Sequence, residues 1–414
     1  MTTNERGWVM AFLLVACALI ANAHSASPAA APRGHYLFAW IGDADKKEND
    51  FLAVINTDPQ SPEYGRLVTT LATDQPTMLV HHSEYVMPEG GMLFANDFDA
   101  GRTFLFDLRD PVHPRLANTF TDVGGYSHPH SYVRLPNGHV LISFQHTVDA
   151  SDGIESHRHG ALVELDAEGH FVRSSSATDS SHPDELLTPY SIVVLPAIDR
   201  VLSTDSSMET EDGPGTAYQI WRLSDLKLLH TEFFDPGAHL YALADPEEPR
   251  LVPDGTVLVQ TFACGLERVT GIATDKPVAK LVYTFPGGGC GVPTIAGHFL
   301  VISDRLTHGL IVLDVANAAK PVEVSRLDLG SDYSPHWTGW DAETQRLVVT
   351  PNADSPVHRI FLVKMELSTG RLTLDTAFHD AAGKPGFDCD NREWPQGWKG
   401  SGAPHGAVFS RQSP

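Results

Sequence analysis

The chain has 414 residues, about one fifth of them charged, and a formal net charge of -23 at pH 7. That balance excludes nucleic acid and anionic membrane surfaces as partners, because both call for basic surface. The length admits one large closed all-β domain or two ordinary ones.

The polar segment Met1 to Gly7 carries Arg6 and is followed by the apolar run Trp8 to Ile20, which is short for a bilayer span. It reads as a secretory signal over residues 1–23, with Ala21-Asn22-Ala23 as the cleavage site. A competing lipoprotein box, Leu14-Val15-Ala16-Cys17, is disfavoured because Ala18-Leu19-Ile20 continues the apolar run past the cysteine. The mature protein is therefore expected outside the cytoplasm, in a bacterial periplasm or the extracellular space, without a transmembrane segment, as a monomer; a lipid anchor is the alternative. Residues 24–34 are expected to be a flexible lead-in, and 35–414 a single domain.

Beyond the lead-in, short apolar runs alternate with turn residues to the end of the chain, and the 34 glycines and 29 prolines are scattered rather than pooled. The runs Tyr36 to Trp40 and Phe51 to Ile55 come first. Seven segments then look alike: His81-His82-Ser83, Pro129-His130-Ser131-Tyr132, Pro189-Tyr190-Ser191-Ile192, His239-Leu240-Tyr241-Ala242, Gly291-Val292-Pro293-Thr294, Pro335-His336-Trp337-Thr338 and Pro404-His405-Gly406-Ala407. Most lead into a second strand, such as Met92 to Asn96, Val140 to Ser143, Arg200 to Thr204, Thr256 to Gln260, Phe299 to Ser303 or Arg346 to Thr350. Repeats of this length, each a set of antiparallel strands, predict an all-β, seven-bladed β-propeller. The last segment has no strands after it, and the first two runs have no inner strand of their own. One blade built from both termini closes the ring and removes free edges.

In a propeller the inner strands surround the central channel, so the equivalent positions His82, His130, Tyr190, His239, Val292, His336 and His405 converge. Imidazoles gathered without paired carboxylates suit copper, with zinc or iron as alternatives, and suit calcium or magnesium poorly. The expected metal ligands are His82, His130, His239, His336 and His405, with His81 and His128 as further candidates or outer partners. The acidic loop from Asp43 to Asp50 has oxygen-ligand spacing but lacks the glycine and glutamate of an EF-hand, and reads as a solvated turn.

At these residues the chain resembles the selenium-binding protein or methanethiol oxidase family of seven-bladed propellers. His81-His82 matches the family's His-His pair, and His130 with Gly138-His139-Val140-Leu141-Ile142-Ser143 matches a His-Thr-Ser-His element and the strand after it, with Val133 replacing the second histidine. Ser303 to Gly309 and the turn Asp314 to Pro321 resemble another family stretch, and Pro404-His405-Gly406 aligns with a C-terminal Ala-His-Glu. The resemblance implies a histidine-bound copper that oxidises methanethiol with oxygen to formaldehyde, hydrogen sulfide and hydrogen peroxide. The family's Cys-Ser-Ser, linked to selenium binding, has no counterpart between Glu84 and Asn96, so that property is not carried over.

Three cysteines remain after signal removal. Cys264 ends one blade's second strand and Cys290 opens the next blade, which predicts a Cys264 to Cys290 disulfide and leaves Cys389 unpaired. Tyr190 is the candidate catalytic group, able to supply a proton or hydrogen-bond an oxygen species. The partners expected for such an oxidase are a small thiol and oxygen. A non-catalytic metal-binding or protein-binding propeller is the alternative, since propellers host both.

Overall fold

The computed structural model describes residues 34–148, 159–208, 214–234 and 244–411. Among them are seven four-stranded antiparallel blades and no α-helix; blade seven carries one extra short strand and the chain one further two-stranded ribbon. The inner strands are Gly402–Phe409 for blade one, then Val80–Ser83, Tyr126–Arg134, Pro189–Leu195, Pro246–Leu251, Thr294–Ala296 and Pro335–Asp341 for blades two to seven. Blade one combines Tyr36–Asp43, Asn49–Asn56 and Leu67–Pro76 with the C-terminal strand, so the two ends of the chain close the ring, as the leftover strands required.

The strand Tyr36–Asp43 shows why closure is stable. Every residue in it is buried, because successive side chains point to opposite faces and both faces are covered. Leu37, Ala39 and Ile41 pack against Trp337, Val348 and Leu362 of blade seven. Phe38 and Trp40 pack against Leu93, Phe104 and Phe106 of blade two.

Polar side chains at the inner rim add a second ring. At every junction, a side chain on one blade's second strand donates to a main-chain carbonyl of the next blade. Trp40 Nε1 reaches Asn96 O at 2.8 Å, Asn96 Nδ2 reaches Pro129 O, and Ser143 Oγ reaches Tyr190 O at 2.7 Å. Thr204 Oγ1 donates to Glu247 O, Gln260 Nε2 to Cys290 O, Ser303 Oγ to His336 O and Thr350 Oγ1 to His405 O. All seven donors are buried, so each bond satisfies groups that water cannot reach.

One expected strand is misplaced. Residues 235–243, which include His239 and Tyr241, lie outside the described residues, and the inner strand of blade five is Pro246–Leu251 instead. Its sequence, Pro-Glu-Glu-Pro-Arg-Leu, looks like a turn. An inner strand pairs with a sheet neighbour on one side only, which is where a strand tolerates the missing N–H of proline. The acidic loop behaves as a turn: the Asp43 carboxylate accepts the backbone N–H groups of Asp45, Lys47 and Glu48.

Cys264 and Cys290 are disulfide-bonded, with Cα atoms 5.1 Å apart, and join blades five and six; Cys389 is free and buried. No helix among the described residues is long and apolar enough to cross a membrane.

Ending the chain after Gly400 removes the inner strand of blade one and exposes Leu37, Ala39 and Ile41. The truncated protein is expected to lose its single cooperative thermal transition. Circular dichroism melts check this, and an unchanged melting curve would show that closure does not hold the ring.

Candidate metal centre

The side chains that reach the channel are aimed by irregularities in the inner strands. Between Val80 and Ser83, Pro129 and Tyr132, Pro189 and Ile192, Pro246 and Glu248, Pro335 and Trp337, and Pro404 and Ala407, the inner strand carries one residue more than the strand it pairs with. Such a bulge re-aims a side chain and frees a backbone N–H. Within these bulges lie His81 and His82, His130 with Ser131, Tyr190 with Ser191, Glu247, His336, and His405 with Gly406. In blades three and four the freed N–H is recaptured by the rim hydroxyls: Ser131 N donates to Ser143 Oγ and Ser191 N to Thr204 Oγ1, each of which in turn donates to the next blade.

Five imidazoles meet as a result. His81 and His82 stack with ring centres 4.3 Å apart, His82 lies 4.3 Å from His130, and His405 lies 4.5 Å from His81 and 4.7 Å from His336. His81, His82 and His405 each offer a nitrogen within 4.8 Å of the others, a spacing one metal ion can bridge. His81 Nε2 and His130 Nε2 are 2.9 Å apart. His130 Nδ1 lies 2.8 Å from the carbonyl of Tyr190, which can only accept, so Nδ1 carries the proton and Nε2 presents a lone pair to the cluster.

Burial is the largest cause holding these rings neutral. It drives His130 down to about 3 and His336 to about 4, and it takes His81, His82 and His405 well below the usual imidazole value with help from their histidine neighbours. His82 Nε2, His405 Nδ1 and both nitrogens of His336 are buried without a hydrogen-bond partner among the described residues. Buried polar atoms normally have partners, so orphaned neutral nitrogens converging on one point fit a metal of the imidazole-preferring kind.

A polar layer supports His82. Glu248 is fully buried, and its Oε2 accepts from Tyr85, Ser191 and Arg250 at 2.8 to 2.9 Å. Its Oε1 lies 4.0 Å from His82 Nδ1, too far for a hydrogen bond; His82 Nδ1 instead meets Ser131 Oγ at 3.3 Å, which in turn meets the Tyr85 hydroxyl at 3.1 Å. Arg250 lies over the Tyr85 ring, and that ring stacks on Trp337.

The structure therefore brings together His82, His130, His336 and His405 and adds His81 to the centre of the group. His239 lies outside the described residues, and in blade five Glu247 occupies the bulge. His128 stands apart. Its backbone is left-handed, with φ 58°, and its ring lies 4.2 Å from His146, with Phe98 between it and His130. Val292 is buried in apolar core, so blade six contributes no ligand. Tyr190 packs its ring 3.7 Å from that of His130 and directs its hydroxyl to Glu247 Oε1 at 3.3 Å. Glu247 and Glu248 escaped the sequence reading because their strand was not recognised; the signal for them was the proline that precedes most channel residues.

No family model matches the chain. Over 127 residues it is 34% identical to the methanethiol oxidase of a Hyphomicrobium species. Over that stretch the chain is similar to methanethiol oxidase. The match covers 28% of this chain, and the chain spans 28% of that enzyme's length. A hypothetical selenium-binding protein from Sulfolobus tokodaii superposes with a TM-score of 0.70 at 15% identity, covering 92% of this chain and 94% of the other. The periplasmic gluconolactonase of Pseudomonas aeruginosa gives a TM-score of 0.60 at 11% identity over 92% and 99% of the two chains. Identities this low establish a shared propeller fold alone.

The neutral histidines carry a pH signature in the metal-free protein. His336 keeps its uncharged form down to about pH 4, whereas the unfolded chain protonates it below its ordinary value of 6.5. Between those values the unfolded state binds the extra proton, so His336 makes the folded state lose stability as pH falls. Relative to wild type, His336→Gln should gain about 2 kcal/mol between pH 6.5 and pH 5. Urea melts at the two pH values measure the difference, and a gap that stays constant would contradict the neutral buried state.

Proposed function

We propose that the protein is an exported, metal-dependent thiol oxidase, with copper as the preferred ion, related in chemistry to methanethiol oxidase. The observation that carries the reading is the gathering of His81, His82 and His405 within reach of one ion, with His130 and His336 in ring contact with them and unpartnered nitrogens on His82, His336 and His405. Among divalent first-row ions, copper binds nitrogen sites most tightly, which supports it over zinc or iron. The partial likeness to methanethiol oxidase supports thiol and oxygen as reactants. Export is supported by the apolar run at the N-terminus and by the disulfide, a bond that persists in oxidising compartments.

His81, His82 and His405 would hold the ion, with His130 and His336 beside them and Ser131 Oγ against His82 Nδ1. When bound, the metal supplies electron exchange between thiol and oxygen. The protein's own groups shape the rest. Tyr190 presents a hydroxyl in the cavity that the histidines line, where it can donate a hydrogen bond to a reacting oxygen. Burial pushes the Glu247 carboxyl well above its ordinary range, which favours a proton there within reach of Tyr190. Leu79, Met208 and Phe262 line the same cavity and limit water there.

The test combines metal analysis with oxygen uptake. The purified protein should carry one transition-metal ion per chain and consume oxygen when given methanethiol. His82→Ala and His405→Ala should each lower both by tenfold or more, with melting temperature changed by only a few degrees, because the blades stay packed. Stoichiometric metal without oxygen uptake would replace the oxidase with a metal-binding propeller, and absence of stoichiometric metal would overturn both.

A further inference from the structure

The cavity beside the histidines speaks to the substrate, given the oxidase reading above. Its volume is about 280 Å³. That holds on the order of ten water-sized groups, whereas methanethiol has one carbon and one sulfur and would leave most of the space to water. His81, His336 and His405 share the wall with Ser206, Asp245 and Glu247, and no lysine or arginine lines it among the described residues.

The acidic part of the wall is built, not incidental. Asp245 Oδ1 accepts from Ser206 Oγ at 3.1 Å and from the Gly215 amide at 3.0 Å, which fixes the carboxylate in place. Glu247 Oε2 accepts from Gln260 Nε2 at 3.1 Å, and its Oε1 from Tyr190. Independently, His336 and His405 are only 5% and 4% exposed and have nitrogens with no partner among the described residues. One cavity thus offers imidazole nitrogens that suit a metal and the fixed Asp245 carboxyl that suits a cation.

We propose that the preferred substrate is a short aminothiol of the 2-aminoethanethiol type, its sulfur directed to the histidine cluster and its ammonium to Asp245. Burial pushes the Asp245 carboxyl up, against the hydrogen bonds from Gly215 and Ser206, and an ammonium beside it favours the ionised form. That charge pair is stronger in a partly desolvated cavity than in bulk water, and the ionised carboxyl repels an anionic thiol. A neutral alkanethiol gains neither effect.

Oxygen uptake by the metal-loaded protein with 2-aminoethanethiol, ethanethiol and 3-mercaptopropionate tests the proposal. The expected order of kcat/KM is cation, neutral, anion, with roughly tenfold between the first two, and raising salt from about 0.02 M to 0.5 M should compress it. Asp245→Asn should narrow the ratio of aminothiol to ethanethiol through KM. A second readout needs no turnover: 2-(methylthio)ethylamine, a cationic thioether, should bind the metal-free protein in calorimetry, and Asp245→Asn should weaken that binding about tenfold. Equal kcat/KM for the three thiols, or thioether binding indifferent to Asp245→Asn and to salt, would overturn the proposal. If no thiol is consumed but the thioether binds as expected, the oxidase reading fails while the cation-accepting cavity stands. Should Asp245→Asn not fold, the salt dependence of the wild type decides.

Discussion

The hydrogen bonds that run from each blade's second strand to a main-chain carbonyl of the next blade are the constraint on which the rest of the molecule depends. Apolar packing between blades supplies most of the stabilisation but is tolerant of small slides, because the interblade clusters are made of interchangeable aliphatic and aromatic side chains. A buried carbonyl held by directional donors is less tolerant, since leaving it unpaired costs about 1 to 3 kcal/mol. Four of those carbonyls belong to Tyr190, Glu247, His336 and His405 themselves, so the bonds that register the blades also fix the backbone of the channel residues.

The bulges turn this registration into a site. A regular strand would alternate its side chains between the two blade interfaces, and no imidazole would meet its neighbours on the axis. One extra residue per inner strand releases a side chain toward the channel, and a serine or threonine hydroxyl can take up the N–H that the bulge frees. The channel is consequently divided. Blades one, two, three and seven contribute imidazoles, blades four and five contribute Tyr190 and Glu247, and blade six contributes apolar packing around Val292. Metal-suited nitrogens and proton-holding oxygens come from different blades and meet at Tyr190, whose carbonyl holds His130 Nδ1 and whose ring packs against that imidazole.

Much of this was legible in the sequence because strand periodicity, turn residues and the histidines all pointed to the same register. The two unpartnered N-terminal strands and the late segment around His405 implied closure from both ends. Blade five resisted because its inner strand contains two prolines and two acids, and only tertiary partners explain it: Glu248 is stabilised by Tyr85 of blade two and Ser191 of blade four, more than fifty residues away in sequence. His128 resisted for a local reason. It flanks the same proline as His130, but a left-handed backbone at that one residue sends the ring elsewhere, and spacing alone does not reveal a positive φ. Sequence position set His82 above His81, but both are buried and the bulge between Val80 and Ser83 places both rings in the cluster, which spacing alone does not reveal.

The central claim is that bulged inner strands from separate blades converge their histidines on a single metal ion. The most direct measurement is an anomalous-difference map at the copper absorption edge from crystals of copper-loaded protein. The account predicts one strong peak per chain, about 2 Å from nitrogens of His81, His82 and His405, the distance of a metal to imidazole bond. A peak at surface histidines instead, or none in the channel at full copper loading, would contradict it.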